Sequence, residues 1–110
     1  MPVSRGKLIR DKVPEIIRAN SDEPITRVAD TAEYRELLRA KLVEEVDEVL
    51  AADDSDAPEE LADVLEVVLA FAADLGLDAG QLEEIRKAKA EERGGFANRI
   101  LWYGVEGSER

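Results

Sequence analysis

The sequence carries two pairs of acidic residues at positions where a helix would normally bury carbon. Glu45 and Glu48 are three residues apart, as are Glu60 and Asp63, and residues at this spacing share one face of a helix. Four carboxylates gathered between two helices repel one another unless a positive charge lies among them. The pattern therefore indicates a site for divalent metal ions, and metal held by carboxylates is typical of phosphate chemistry.

Two of the four acids interrupt apolar stripes that repeat at the spacing of a core-facing helix. The stripes consist of Leu38, Leu42, Glu45 and Val49 on one helix, and of Glu60, Val64, Val67 and Phe71 on the next. A carboxylate buried without a partner costs on the order of several kcal/mol, and such conflicts are tolerated most often at functional sites. The alternative is an ordinary solvated face, because acidic runs on helices are usually exposed.

The connection between the two acidic pairs is short. Eleven residues separate Glu48 from Glu60, which is normal for antiparallel neighbouring helices. Glu48 lies near the end of one helix and Glu60 near the start of the next. We therefore expect all four carboxylates to meet at the closed end of a helical hairpin.

The composition limits the available chemistry. The 110 residues include no histidine and no cysteine, which excludes histidine triads, thiol nucleophiles and the usual nitrogen-rich zinc sites. A bound metal must be held mainly by oxygen, which favours Mg²⁺, Mn²⁺ or Ca²⁺. The formal net charge of −11 argues against binding nucleic acid through a general electrostatic surface.

The hydropathy of the chain gives no secretion or membrane signal. The N-terminal residues MPVSRGKLIRDKVPEII lack the long apolar core of a signal peptide. No stretch approaches the apolar length of a membrane span. We therefore expect a cytoplasmic protein with no membrane partner.

Helix signals predict an all-α protein in which residues 1–110 form a single four-helix domain. The first helix falls within residues 7–19 and begins near Val13 or is kinked there, because Pro14 disrupts a helix interior. Capping residues and stop signals place the other three helices at Asp30 to about Ala52, Asp56 to before Gly76, and Asp78 to about Glu92. The apolar tail from Phe96 to Tyr103 is interpreted as a strand or an extended segment.

Three segments of the sequence form a recognisable combination. They are the acid motif (Glu44-Glu45-x-x-Glu48 followed by Glu60-x-x-Asp63), residues 7–17 (KLIRDKVPEII) and residues 92–96 (ERGGF). Together they resemble the all-α nucleoside triphosphate pyrophosphohydrolases, or MazG-like superfamily. The two flanking segments are similar to a branch that is phosphoribosyl-ATP-pyrophosphohydrolase-like. The resemblance implies a four-helix MazG-like bundle completed by oligomerisation into a homodimer or homotetramer.

The resemblance also implies a reaction and its residues. It implies hydrolysis between the α- and β-phosphates of a nucleotide, which releases a monophosphate and pyrophosphate. It assigns Glu45, Glu48, Glu60 and Asp63 as magnesium ligands and Glu44 as a supporting residue or base. Glu45 is further expected to act on the attacking water.

Basic side chains are needed to neutralise a triphosphate. Lys89 and Arg93 lie one turn apart on the fourth helix, before Gly94-Gly95, and Arg10 and Lys12 near the N-terminus are further candidates. Each of the four is alternatively a plain surface charge.

We therefore predict a Mg²⁺-dependent nucleoside triphosphate pyrophosphohydrolase that removes non-standard or surplus nucleotides. The closest enzymatic alternative is phosphoribosyl-ATP hydrolysis. An alternative of another class is a non-catalytic helical module that binds metal or nucleotide. Trp102 and Tyr103 are candidates to stack on a base, although an apolar tail more often packs on the core or on a partner subunit.

Overall fold

The computed structural model describes residues 6–107 of the chain. It contains four α-helices, which are α1 (Val13–Ala19), α2 (Thr31–Ala51), α3 (Ala57–Asp74) and α4 (Ala79–Arg93). The described residues include no β-strand, so the prediction of an all-α fold is confirmed. The helix α1 begins at Val13 with Pro14 in its first turn, where proline sacrifices no helical hydrogen bond.

The helices α2 and α3 pack against each other as an antiparallel hairpin that forms the core. At one end of the hairpin Arg35 of α2 donates to the Asp74 carboxylate of α3 at 2.9 Å. At the other end the Glu45 and Glu60 carboxylates approach each other. All eight predicted stripe positions are buried or half-buried, which confirms the periodicity from which the core was predicted.

Side-chain caps fix the starts of two helices. The Asp30 carboxylate accepts from the Glu33 backbone N–H at 2.9 Å at the start of α2. At the start of α4, Asp78 and Gln81 exchange side-chain and backbone hydrogen bonds in a capping box. The end of α3 is set by Gly76, whose φ of +90° lies in the left-handed region that favours glycine.

Asp56 precedes α3 as predicted and is its N-cap residue, but its side chain makes no capping hydrogen bond. Instead, the Asp53 carboxylate accepts from the Asp56 N–H at 3.2 Å and from the Ser55 hydroxyl at 2.8 Å. A short aspartate side chain that bonds the backbone ahead of it organises a turn, so Asp53 closes the hairpin loop and leads the chain into α3.

The two flanks of the hairpin differ in character. Helical periodicity places Lys41, Glu44 and Glu48 of α2 on the same flank as Asp63 and Glu66 of α3. The opposite flank is apolar and exposed, with relative exposures between 37% and 78%. We call this second surface the apolar face, and it consists of Val43, Val46, Leu50, Leu61 and Leu65.

The chain is elongated rather than closed around one core. Its radius of gyration is 19.0 Å and its longest dimension is 64 Å, whereas a compact domain of this length has a radius of gyration of about 13 Å. The helix α4 contains no buried residue. The apolar residues that follow it are also exposed. None of the helices in residues 6–107 is long and apolar enough to cross a membrane.

The hairpin core makes a direct prediction about stability. Leu38 is 3% exposed, so Leu38→Ala should lower the free energy of unfolding by about 2–5 kcal/mol through lost burial and the resulting cavity. Ile25→Ala removes an apolar side chain that is fully exposed, so it should change the free energy of unfolding by less than about 0.5 kcal/mol. Urea titrations of both variants measure the difference, and equal effects would show that the core is misplaced.

Candidate functional site

Three carboxylates from both helices of the hairpin converge at its closed end. Glu45 of α2 and Glu60 and Asp63 of α3 each place one oxygen within 4.8 Å of the others. Oxygens bound to one octahedral metal ion at about 2.1 Å lie about 3 to 4 Å apart. The trio therefore needs only small side-chain adjustments to hold one divalent ion, and its all-oxygen composition suits Mg²⁺ or Mn²⁺.

A second trio lies on α2 and shares a member with the first. Glu44, Glu45 and Glu48 also bring one oxygen each within 4.8 Å of one another. Glu45 is 7% exposed, whereas Glu44 is half-buried and Glu48 is exposed. The structure thus brings together all four predicted ligands and the predicted supporting residue Glu44, with Glu45 at the junction of the two trios.

The burial of Glu45 is compensated by a lysine that the sequence interpretation overlooked. Lys41 lies one turn before Glu45, and its ammonium is 3.3 Å from the Glu45 carboxylate and 3.5 Å from that of Glu44. Among the described residues, no buried side-chain polar atom lacks a hydrogen-bond partner. Lys41 therefore reduces the desolvation cost that the buried carboxylate would otherwise impose.

The segment before α1 supplies two more cations. Lys7 donates to the Glu44 carboxylate at 3.1 Å, and Arg10 donates to Asp63 at 2.7 Å. These contacts lie partly in solvent, so each contributes at most about 1 kcal/mol to stability. Their main structural effect is to hold the N-terminal segment across the carboxylate flank of the hairpin.

The pKa values of Glu44 and Glu48 are shifted in opposite directions. The Lys7 ammonium lowers the pKa of the Glu44 carboxyl below its ordinary value. A hydrogen bond with Glu45 and repulsion from it raise the pKa of Glu48, and the charge of Glu60 adds to the effect. The neighbouring carboxylates therefore repel the charged form of Glu48 more than the nearby lysines stabilise it. A divalent cation bound among these carboxylates would relieve their repulsion.

A cavity of about 470 Å³ separates the N-terminal segment from the hairpin. Its polar wall combines carboxylates with cations, namely Lys7, Arg10, Asp11, Lys41, Glu45, Asp63 and Glu66. Its apolar wall consists of Leu8, Ile9, Val13, Leu38, Val67 and Ala70, with Tyr34 beside them. This volume is within the range typical of small-molecule sites, about 300 to 1,000 Å³.

The predicted substrate-binding cations divide into two groups. Arg10 lines the cavity, whereas Lys12, Lys89 and Arg93 do not. Arg93 pairs instead with Glu92, its neighbour on α4, at 3.2 Å. A role for these three residues therefore stays a prediction.

Stacking of Trp102 and Tyr103 on a base stays a prediction, and so does their packing on a partner subunit. Trp102 and Tyr103 are largely exposed, so neither packs in the core of its own chain. Neither residue lines the cavity.

Among the cavity residues that sequence reasoning missed, Lys7, Tyr34 and Lys41 bear most directly on the site. Helical spacing contained a signal for two of them, because Lys41 precedes Glu45 by four residues and Tyr34 precedes Leu38 by four. Lys7 had no such signal, since its contact with Glu44 joins residues 37 positions apart.

One known protein matches part of this sequence, and the match does not assign the chain to a family. An uncharacterized protein of Mycolicibacterium smegmatis (strain ATCC 700084 / mc(2)155) is 48% identical over 52 residues. The match covers 47% of this chain and 53% of that protein, so the chain spans about half the length of this curated relative. No family model matches the sequence, and no solved structure matches it.

The raised pKa of Glu48 predicts how stability depends on pH. Folding raises this pKa above the ordinary value of 4.5, so the folded protein favours the protonated form of Glu48. The contribution of Glu48 to folding stability is therefore fully present below pH 4.5 and is lost as the pH rises through the folded-state pKa. In a chelating buffer, Glu48→Gln should therefore melt at a higher temperature than wild type at pH 7. The gap should close as the pH falls towards 4.5.

Thermal unfolding across this pH range tests the prediction, with Asp47→Asn as the control. Asp47 is an exposed acid next to Glu48 in sequence that belongs to neither trio. A lower melting temperature for Glu48→Gln than for Asp47→Asn at pH 7 would contradict the prediction.

The contact between Arg10 and Asp63 predicts an effect on divalent ions. The Arg10 guanidinium repels a cation bound by Asp63 and competes with that cation for the Asp63 carboxylate. Arg10→Gln should therefore bind Mn²⁺ roughly three- to tenfold more tightly than wild type. Titration followed by electron paramagnetic resonance measures this affinity.

Arg18→Gln, which removes an exposed arginine paired with Glu23, is the control. Weaker binding by Arg10→Gln would refute the competition.

Proposed function

We propose that the protein is a Mg²⁺-dependent nucleoside triphosphate pyrophosphohydrolase of the MazG-like type. It cleaves the α–β phosphoanhydride bond and releases a nucleoside monophosphate and pyrophosphate. The observation that supports this most strongly is the composition of the cavity. Glu45 and Asp63, which belong to a carboxylate trio with the spacing of metal ligands, line the cavity together with the cations Lys7, Arg10 and Lys41.

The carboxylates fit the metal that this reaction requires. Glu45, Glu60 and Asp63 would hold one ion, and Glu48 with Glu44 would hold a second ion or support the first. When bound, Mg²⁺ neutralises phosphate charge and lowers the pKa of water. The oxygen-only donor set excludes the thiolate and imidazole ligands that favour zinc.

The chain's own residues supply positioning and proton transfer. Glu45 lies at the junction of both trios, where its carboxylate can accept a proton from the attacking water. Lys7 and Arg10 lie on the segment facing the carboxylates, so they can turn from Glu44 and Asp63 to the phosphate oxygens. Phosphoryl transfer depends mainly on such positioning and charge stabilisation.

The apolar half of the cavity suits the nucleoside. Leu8, Ile9, Tyr34 and Leu38 line the same cavity as the charged residues. An aromatic ring among aliphatic side chains offers a flat apolar surface on which a base can stack. Tyr34 therefore takes the role that the sequence interpretation offered to Trp102 and Tyr103.

We further propose that the enzyme is cytoplasmic and acts as a homodimer or homotetramer on non-standard or surplus nucleotides. The exposed apolar face and the elongated shape support association, because a short chain gains buried surface by oligomerising.

Pyrophosphate release from a panel of NTPs and dNTPs with Mg²⁺ tests the reaction. Glu45→Gln should lower kcat/KM by about 10²-fold or more, because it removes both a metal ligand and the proton acceptor. Asp47→Asn, on the same helix and outside both trios, should retain wild-type activity. No pyrophosphate from any nucleotide, with Glu45→Gln indistinguishable from wild type, would leave a non-catalytic binding module as the better account.

The identity of the products separates the remaining possibilities. Release of single phosphate would refute cleavage between the α- and β-phosphates. Exclusive hydrolysis of phosphoribosyl-ATP would replace the role in nucleotide removal with the biosynthetic alternative.

A further inference from the structure

The residues after α4 form an apolar arm that does not pack on the core of its own chain. We call residues 94–107 the C-terminal arm. Its large apolar side chains each expose two thirds or more of their surface, and they are Phe96, Ile100, Leu101, Trp102, Tyr103 and Val105. A contiguous apolar surface of this kind marks an interaction site on a folded protein.

The arm has a hinge and the length to reach another molecule. Gly94 has a φ of +80°, a conformation that glycine adopts without strain. Neither Gly94 nor Gly95 has an atom within 4 Å of where a side chain would begin. Fourteen residues span up to about 46 Å when extended, which exceeds the length of the hairpin helices.

We propose that the C-terminal arm of one chain packs on the apolar face of a second copy, so that two copies exchange arms about a two-fold axis. Each copy presents one unpartnered arm and one unpartnered face. An isologous dimer covers both surfaces of both copies with a single type of contact. The proposal does not depend on the proposed enzymatic activity.

The aromatic side chains of the arm can bury an area close to that of a standard interface. Phe96, Trp102 and Tyr103 bury about 150–250 Å² each when they are fully covered. The three rings together therefore approach the roughly 800 Å² per partner of a standard interface. The aliphatic residues of the arm add to this area.

The charges favour the arm as the contacting element. The whole chain has a net charge of −11, so two acidic bodies repel each other when they meet directly. The C-terminal arm contains two charged residues, Arg99 and Glu106, and therefore carries no net charge. On the receiving side, Asp47 is exposed and lies one helical turn after Val43 of the apolar face. A neutral arm can thus approach the acidic second copy with less repulsion than the rest of the chain would meet.

The fluorescence of Trp102 reports on the environment of the arm, because the sequence contains one tryptophan. Sedimentation equilibrium and Trp fluorescence of the full chain are measured over the same concentration range. We expect a dimer in which the emission is shifted to shorter wavelength and protected from iodide quenching, with both effects lost on dissociation. A monomer at all concentrations, or a dimer with freely quenched Trp102, overturns the proposal.

Cross-linking distinguishes exchange between chains from folding back within a chain. The protein lacks cysteine, so Val46→Cys and Ile100→Cys each introduce a single thiol. After the two variants are mixed and treated with a short bismaleimide, we expect a peptide joining position 46 of one chain to position 100 of another. A link that forms only within a Val46→Cys/Ile100→Cys double variant overturns the exchange.

The energetic role of the arm is tested with matched apolar substitutions. Trp102→Ala should raise the dimer dissociation constant at least tenfold, as expected for a central aromatic anchor. Ile25→Ala, which removes a fully exposed apolar side chain outside both surfaces, should leave the constant unchanged. Equal constants for wild type and Trp102→Ala would contradict the proposed contact.

Discussion

Repulsion among the carboxylates at the closed end of the α2–α3 hairpin is the constraint on which the rest of the structure depends. Glu45 is buried between the helices and belongs to both acidic trios. The fold tolerates this charge because Lys41 pairs with it from one turn away. Lys7 and Arg10 continue the compensation from outside the hairpin, and by doing so they position the N-terminal segment and create the cavity. The ion pairs that neutralise the carboxylates thus also place the segment that forms one side of the cavity.

Local periodicity was sufficient to predict the hairpin and the convergence of its acids. The stripe positions, the caps at Asp30 and Asp78 and the stop at Gly76 are all encoded within a few residues. The position of the α3 cap at Asp56 was predicted correctly, but its side-chain hydrogen bond was not. Asp53 is an equally good acceptor, and the loop geometry places its carboxylate next to the Asp56 N–H. The pairing of Lys7 with Glu44 depends on a tertiary contact between distant residues. No local pattern specifies such a contact.

The single chain leaves two apolar surfaces without a partner. Its radius of gyration of 19.0 Å reflects an α4 and C-terminal arm that lie away from the hairpin core. Burial of the apolar face and of the aromatic residues of the arm would add to the small core around Leu38 and Val67. We propose that the carboxylate flank of the hairpin binds metal and substrate and that the opposite flank binds a second copy.

The central claim is that the carboxylates hold divalent metal for a polyphosphate substrate. The most direct test is anomalous diffraction from crystals grown with Mn²⁺ and a nonhydrolysable nucleoside triphosphate analogue. The account predicts an anomalous peak among Glu45, Glu60 and Asp63, with phosphates near Arg10 and the base near Tyr34. Ordered nucleotide elsewhere, or no peak at the carboxylates while Arg10 stays on Asp63, would contradict it.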